Sequence, residues 1–252
     1  MKGVGPDFAG YMERLGEDEL RSLIGDLWAS GQSEPENIGV SDAAIRAAAR
    51  ELYRREGSAA MEWANNLPLK DGRKLVLKHV IVAAVEDSPA AAKSWVDLFQ
   101  QKYAMIGENP FREPAFRAAG KKGVDALLEA REVMGDGIGE SLVRGPLPDD
   151  FDFKRLLTEV RDTNGLNEPL KLWAARDPDV VWKVLKEMDS GEPESAAKYF
   201  SSLFDGISQT QGEDAAAKWV AGRLSELPGE LRQKALFSLM NTHNMRYQVV
   251  NE

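Results

Sequence analysis

The chain of 252 residues contains no cysteine. That excludes disulfides, thiolate metal sites and a cysteine nucleophile. Histidine is nearly as scarce: His79 and His243 are the only two, too few for a His-rich metal centre. Long apolar runs are missing as well. The longest, Val80 to Val85, is far short of the about 20 residues a membrane span needs. Met1-Lys2-Gly3 leads into no apolar h-region, so no signal peptide is visible. The chain reads as soluble, cytoplasmic or, as a mature fragment, periplasmic. Basic charge is also in deficit. The formal net charge is −9, with −2 in the first 126 residues and −7 in the last 126. Such a field repels phosphate backbones, and basic doublets such as Arg54-Arg55 and Lys121-Lys122 are too sparse for a nucleic-acid patch. Nucleic acid is not an expected partner.

What is abundant is alanine beside tryptophan. Asp177-Pro-Asp-Val-Val-Trp182 is a helix start with an aromatic at its sixth position, and variants recur. Asp214 to Trp219 keeps the spacing; Ser58 to Trp63 puts Ser where the Asp stands. Ala90 to Trp95 keeps the small-residue run, and Glu194 to Tyr199 ends on Tyr instead. Asp or Ser suits an N-cap, and Pro178 suits the first helical position. Alanines three and four residues before Trp63, Trp95 and Trp219 lie on the Trp face, one turn earlier. The expectation is therefore that Trp63, Trp95, Trp182 and Trp219 are buried between closely packed helices.

Helical periodicity covers most of the chain. Helices are expected at 8–15, 17–30, 42–55 (capped by Ser41 after a loop over 32–40), the Trp63 helix to Pro68, and 71–86. The last has a β-branched run that also allows a strand, but its length favours a buried helix. Others follow at 89–103, 115–119, 123–134, a stretch capped by Asp150 or Asp152, 168–175, the Trp182 helix, 193–204, 213–227 and 229–240. Gly135-Asp-Gly-Ile-Gly139 and Gly145-Pro-Leu-Pro148 bracket a linker. The domain reading is 1–135, a linker at 136–148, and 149–252. Trp63 and Trp95 are 32 residues apart, Trp182 and Trp219 37, near the unit of about 34 residues in helix–turn–helix repeats.

The Trp173-Ala-Ala-Arg-Asp-Pro178 segment with Trp182, residues 59–68, and Trp219 to Pro228 resemble uncharacterised bacterial proteins with degenerate Trp-containing helical repeats. Those are similar in style to tetratricopeptide and HEAT-like arrays, although no Trp-x-x-Leu-Gly-x-x-Tyr string occurs here. The resemblance spans residues 41–103 and 166–240. It implies a solenoid with a binding role and brings no catalytic residues.

Chemistry is thinly signalled. His79 reads as a boundary residue and His243 as a cap or loop residue. Gly135-x-Gly-x-Gly139 follows a helix and lacks a following Lys-Ser/Thr, so it fails as a phosphate loop. Asp149, Asp150 and Asp152 form the densest acidic cluster. They could ligate calcium weakly but lack the spacing of a calcium-binding loop, and an acidic helix start is the simpler reading. No catalytic, cofactor or metal residue is therefore assigned. The expected fold is all-α, antiparallel helix pairs stacked as a right-handed α-solenoid of tetratricopeptide or HEAT-like style. The expected function is a non-enzymatic scaffold for a protein or peptide partner. The alternative is a helical glycan-acting enzyme or accessory using acidic residues; a packing unit of an envelope assembly is a third reading.

Overall fold

The computed structural model describes residues 8–33, 38–68, 70–103, 109–135, 147–160, 166–188 and 199–241. Among these the chain is helical throughout, with no strand. The helices are α1 (Phe8–Met12), α2 (Glu17–Ser33), α3 (Ile38–Glu56), α4 (Ser58–Asn65), α5 (Lys70–Asp87), α6 (Pro89–Tyr103), α7 (Arg112–Lys122), α8 (Val124–Met134), α9 (Phe153–Glu159), α10 (Asn167–Arg176), α11 (Pro178–Met188), α12 (Phe200–Gln211), α13 (Glu213–Leu224) and α14 (Gly229–Asn241). Two compact units result: Met1–Ala119 with Glu129–Asp136, and Gly120–Leu128 with Gly137–Glu252. Of the expected linker, residues 136–146 lie outside the described residues, as do His243 and most of the Gly135–Gly139 motif.

Five pairs of helices are joined by a single residue: Gly57, Ser88, Gly123, Asp177 and Gly212. Two local solutions achieve this. Gly57, Gly123 and Gly212 take φ of 58°, 114° and 89°, which side-chain-bearing residues rarely adopt. Ser88 and Asp177 instead precede a proline at the first helical position, and their side-chain oxygens accept from Ala91 N at 3.3 Å and Val180 N at 3.1 Å.

In the first unit, α3 packs between α2 and α5, with α4 and α6 against α5. Ile45, Ala48, Ala49 and Leu52 of α3 face a core shared with Leu20, Ile24, Leu77, Val80, Ile81 and Ala84. α5 is buried on most of its circumference, so its β-branched residues are shielded within a helix that neighbours cover on several sides. The loop expected at 32–40 is corrected: α2 runs on to Ser33 and α3 starts at Ile38. Ser41 is not a cap. It is buried inside α3, and a Cβ on Gly31 would lie 3.4 Å from its Cβ, so its small size serves close packing.

In the second unit, α10 packs on α12, α12 on α13 and α14, and α11 on α10. Of the helix expected at 193–204, residues 193–198 lie outside the described residues, and α12 runs from Phe200 on to Gln211. Gly206 lies in the continued part. A Cβ there would overlap the Lys171 carbonyl oxygen and sit 3.0 Å from Ala174 Cβ. The glycine therefore permits backbone-level contact between α10 and α12. Trp173 of α10 stacks on Phe153 of α9, centroids 5.5 Å apart and planes 9° off parallel.

Arginines close many carbonyl ends. Arg55 donates to Leu15 O (2.6 Å) and Glu13 O (2.9 Å) while Glu51 accepts from its Nε at 2.6 Å. Arg73 donates to Leu67 O, Arg112 to Met134 O, Arg176 to Leu147 O and Pro148 O, and Arg232 to Leu224 O and Leu227 O. Helix ends leave orphan carbonyls, and a guanidinium supplies several donors at once.

Candidate functional site

The tryptophan helices differ from the expectation of four buried anchors. Only Trp182 is fully enclosed, at 2% exposure, whereas Trp63, Trp95 and Trp219 are half-buried. The residues that reach zero exposure are Ala60, Ala92 and Ala216, each three before one of those three Trp residues. Close helix approach is thus made by the alanine, and the indole covers the seam from outside. In α11 the register shifts: Val181, Trp182 and Leu185 turn inward, while Asp179 stands at the alanine position.

That shift builds a polar cluster on the second unit. Trp182 Nε1 donates to Glu226 Oε2 at 3.0 Å, and Trp219 Nε1 donates to Asp179 Oδ1 at 2.9 Å. Arg223 bridges both acids at 2.5 Å, and Lys186 donates to Glu226 at 2.8 Å. The Lys186, Trp182 and Arg223 donors hold the Glu226 carboxyl down at about 2. Asp179 is lowered as well, by Trp219 and then Arg223. Arg223 Cζ lies 5.6 Å from the Trp219 ring centroid, and Lys186 Nζ the same distance from that of Trp182. Each of these side chains bonds to another of them, so the cluster is a clasp between α11 and the end of α13.

Two open clefts lie on the first unit. One, about 430 Å³, is lined by Lys93, Val96, Asp97 and Gln100 of α6, by Asn109 and Arg112, and by the end of α8 from Glu132 to Gly135. The α6 residues are spaced i, i+3, i+4 and i+7, so one helical stripe faces the cleft. Lys93 and Asp97 pair at 2.5 Å, and Asn109 Oδ1 accepts from Phe111 N at 3.0 Å. None of the lining residues is aromatic. The second cleft, about 480 Å³, is lined by Arg50, Tyr53, Arg54, Gly57, Ala83, Glu86 and Asp87. Glu86 pairs there with Arg50 and, at 3.2 Å, with Arg117. Burial, then the Asp87 charge, raises the Tyr53 phenol.

His79 is not a boundary residue. It is buried at 5% exposure, and its Nε2 lies 2.9 Å from Asp42 Oδ1 on α3. Burial lowers its pKa despite the Asp42 charge, which favours the neutral ring. For Asp42, burial pushes the pKa up, but His79 and Arg46 more than offset it, and the net direction is down. The acidic cluster does not converge. Asp152 Oδ1 caps α9, accepting from Arg155 N at 2.9 Å, and Arg176 occupies the carbonyls of 147 and 148. Among the described residues, no three His, Asp or Glu side chains are grouped to hold a metal ion. Arg54 and Arg55 are both turned onto Glu51. Among the described residues, no helix is long and apolar enough to cross a membrane.

Sequence reasoning missed the clefts. Lys93, Asp97 and Gln100 were legible as a polar stripe beside the Trp95 register, but Asn109, Arg112 and Glu132 join it only through tertiary packing. Comparison with known proteins found no matching family model, no significantly similar curated protein and no significantly similar solved structure.

Proposed function

We propose that the chain is a non-enzymatic helical-repeat scaffold of the α-solenoid kind that binds a protein or peptide segment. The observation carrying this is the recurrence of helix pairs closed by one residue, at Gly57, Ser88, Asp177 and Gly212, each followed five to seven residues later by Trp. In both units the leading helices of successive pairs pack on one another, α3 on α5 and α10 on α12. Stacked pairs of this kind bury one continuous core and leave the outer faces free for recognition. The 430 Å³ cleft fits that role: its lining is mixed in charge and includes the amides of Gln100 and Asn109, suited to the backbone and side chains of a peptide. This cleft lacks the aromatic platform that the glycan reading calls for. The proposal also takes in the similarity to Trp-containing bacterial repeat proteins and needs no metal or nucleotide.

The test is a fluorescence-polarisation screen of the full chain against a positional scanning library of labelled 12-residue peptides, with a panel of polysaccharides assayed in parallel for release of reducing ends. Saturable, sequence-dependent peptide binding without turnover is the expected result. Reducing-end release, abolished by substituting one carboxylate, would replace this reading with the enzymatic one.

A further inference from the structure

The arginines that close carbonyl ends differ in one respect. Arg55 uses Nε on Glu51 and both terminal nitrogens on carbonyls, and Arg232 uses Nε on Leu224 O. Arg112 makes a single long bond, Nη2 to Met134 O at 3.3 Å, and its buried Nε–H has no acceptor. Buried donors are rarely left unmet, and leaving one so is costly. Arg112 lines the 430 Å³ cleft, and so does Glu132, which has no ion-pair partner among the described residues. Lys93 and Asp97, in contrast, neutralise each other.

We propose that Arg112 is the anchor for a carboxylate of the bound peptide, at its C-terminus or on an Asp or Glu side chain. This rests on the peptide-binding reading above. The Nε is shielded from solvent, so the guanidinium turns from Met134 O into the cleft and meets the carboxylate with Nε–H and Nη–H together. One weak bond to a neutral carbonyl is exchanged for two charge-assisted ones in the planar geometry only arginine offers. Glu132 lines the same cleft and opposes a dianion, which selects a singly charged carboxylate over a phosphate. The first half of the chain carries only −2 of the total −9, so the global field opposes such a ligand weakly.

The experiment follows the side-chain Nε–Hε resonance of Arg112 in the ¹⁵N-labelled full chain, assigned by its loss in Arg112→Lys. The probes are acetyl-trialanine with a free C-terminus, the same peptide amidated, acetyl-Ala-Asp-Ala amide, and acetate. Both carboxylate peptides are expected to move that resonance downfield and saturably, together with the Gly135 amide. Arg112→Lys is expected to weaken binding about tenfold or more. Glu132→Gln leaves the Met134 bond intact and should tighten binding about two- to fivefold by removing a like charge. No movement with any probe overturns the proposal. Equal movement with the amidated peptide overturns the carboxylate and leaves peptide binding standing. Equal affinity for acetate overturns the peptide and leaves a small-carboxylate site. If Arg112→Lys unfolds, an unchanged affinity in Glu132→Gln overturns the proposal by itself.

Discussion

Trp182 and Glu226 are joined by an indole N–H that donates to Oε2 at 3.0 Å, and the same oxygen accepts Lys186 Nζ at 2.8 Å. The reciprocal bond, Trp219 to Asp179, crosses the same seam in the opposite direction. The two bonds are not equivalent, because Trp182 is enclosed and also meets Phe200 at 5.1 Å, whereas Trp219 is half-buried. Trp182→Ala is expected to cost about 3–5 kcal/mol, the range for deleting a buried large aromatic. Trp219→Ala is expected to cost roughly 1–2 kcal/mol, since less apolar area is lost. Urea denaturation followed by circular dichroism measures both; equal losses would contradict the asymmetry.

The α10–α12 contact makes opposite predictions for two glycines. Gly206→Ala drives a methyl group into the Lys171 carbonyl and is expected to cost on the order of 1–3 kcal/mol through overpacking. Gly222 lies in α13 with nothing within 4 Å of an added Cβ. Gly222→Ala is therefore expected to stabilise by about 1 kcal/mol, the helix-propensity difference. Midpoints moving the same way in both variants would refute the packing account.

The Glu226 carboxyl has a folded pKa of about 2 against an ordinary 4.5. The folded state binds fewer protons than the unfolded chain between these values, so stability rises with pH there. The contribution is complete above pH 4.5 and is lost as pH falls from 4.5 towards 2. Glu226→Gln is expected to flatten the pH dependence of the urea midpoint in that window. High salt is expected to shrink the wild-type slope, because Glu226 is partly exposed. A slope unchanged by the substitution would assign acid sensitivity elsewhere.

Gly212 sits at φ 89° and ψ 162°, a region nearly exclusive to glycine. Gly212→Ala is expected to cost about 1–3 kcal/mol in backbone strain, although an added Cβ meets nothing within 4 Å. Thermal unfolding of this variant beside Gly222→Ala, which differs in φ and not in available space, isolates the conformational cost.

Much of the fold was legible in periodicity. Helices at 89–103, 167–176 and 213–224 lie within a few residues of their expected places because cap and pattern agree: Ser88-Pro89, Asp177-Pro178 and Gly212 all mark joints. The failures have one cause, tertiary contact overriding local signals. Ser41 carries the signature of a cap and serves as a spacer against Gly31; the helix expected at 115–119 starts earlier, at Arg112, and Pro114 fits its first turn, where no intrahelical N–H bond is lost. The tryptophans were read as anchors because size suggests burial, but Ala60, Ala92 and Ala216 occupy the seam and displace the indoles outward. The cleft was less legible still. Lys93, Asp97 and Gln100 share a stripe in the sequence, whereas nothing local connects them to Arg112 or Glu132.

The one-residue joints also determine where this chain can change length. A residue inserted at Gly57 or Asp177 would break the non-helical geometry by which one residue turns the chain, and would change which face the next helix presents. The connection between α4 and α5 is four residues long and is the better place for an added residue, whereas the four residues between α13 and α14 include Glu226 of the clasp. Each elbow therefore behaves as an indivisible cassette, and insertions, splits and grafted loops belong at the seams between cassettes.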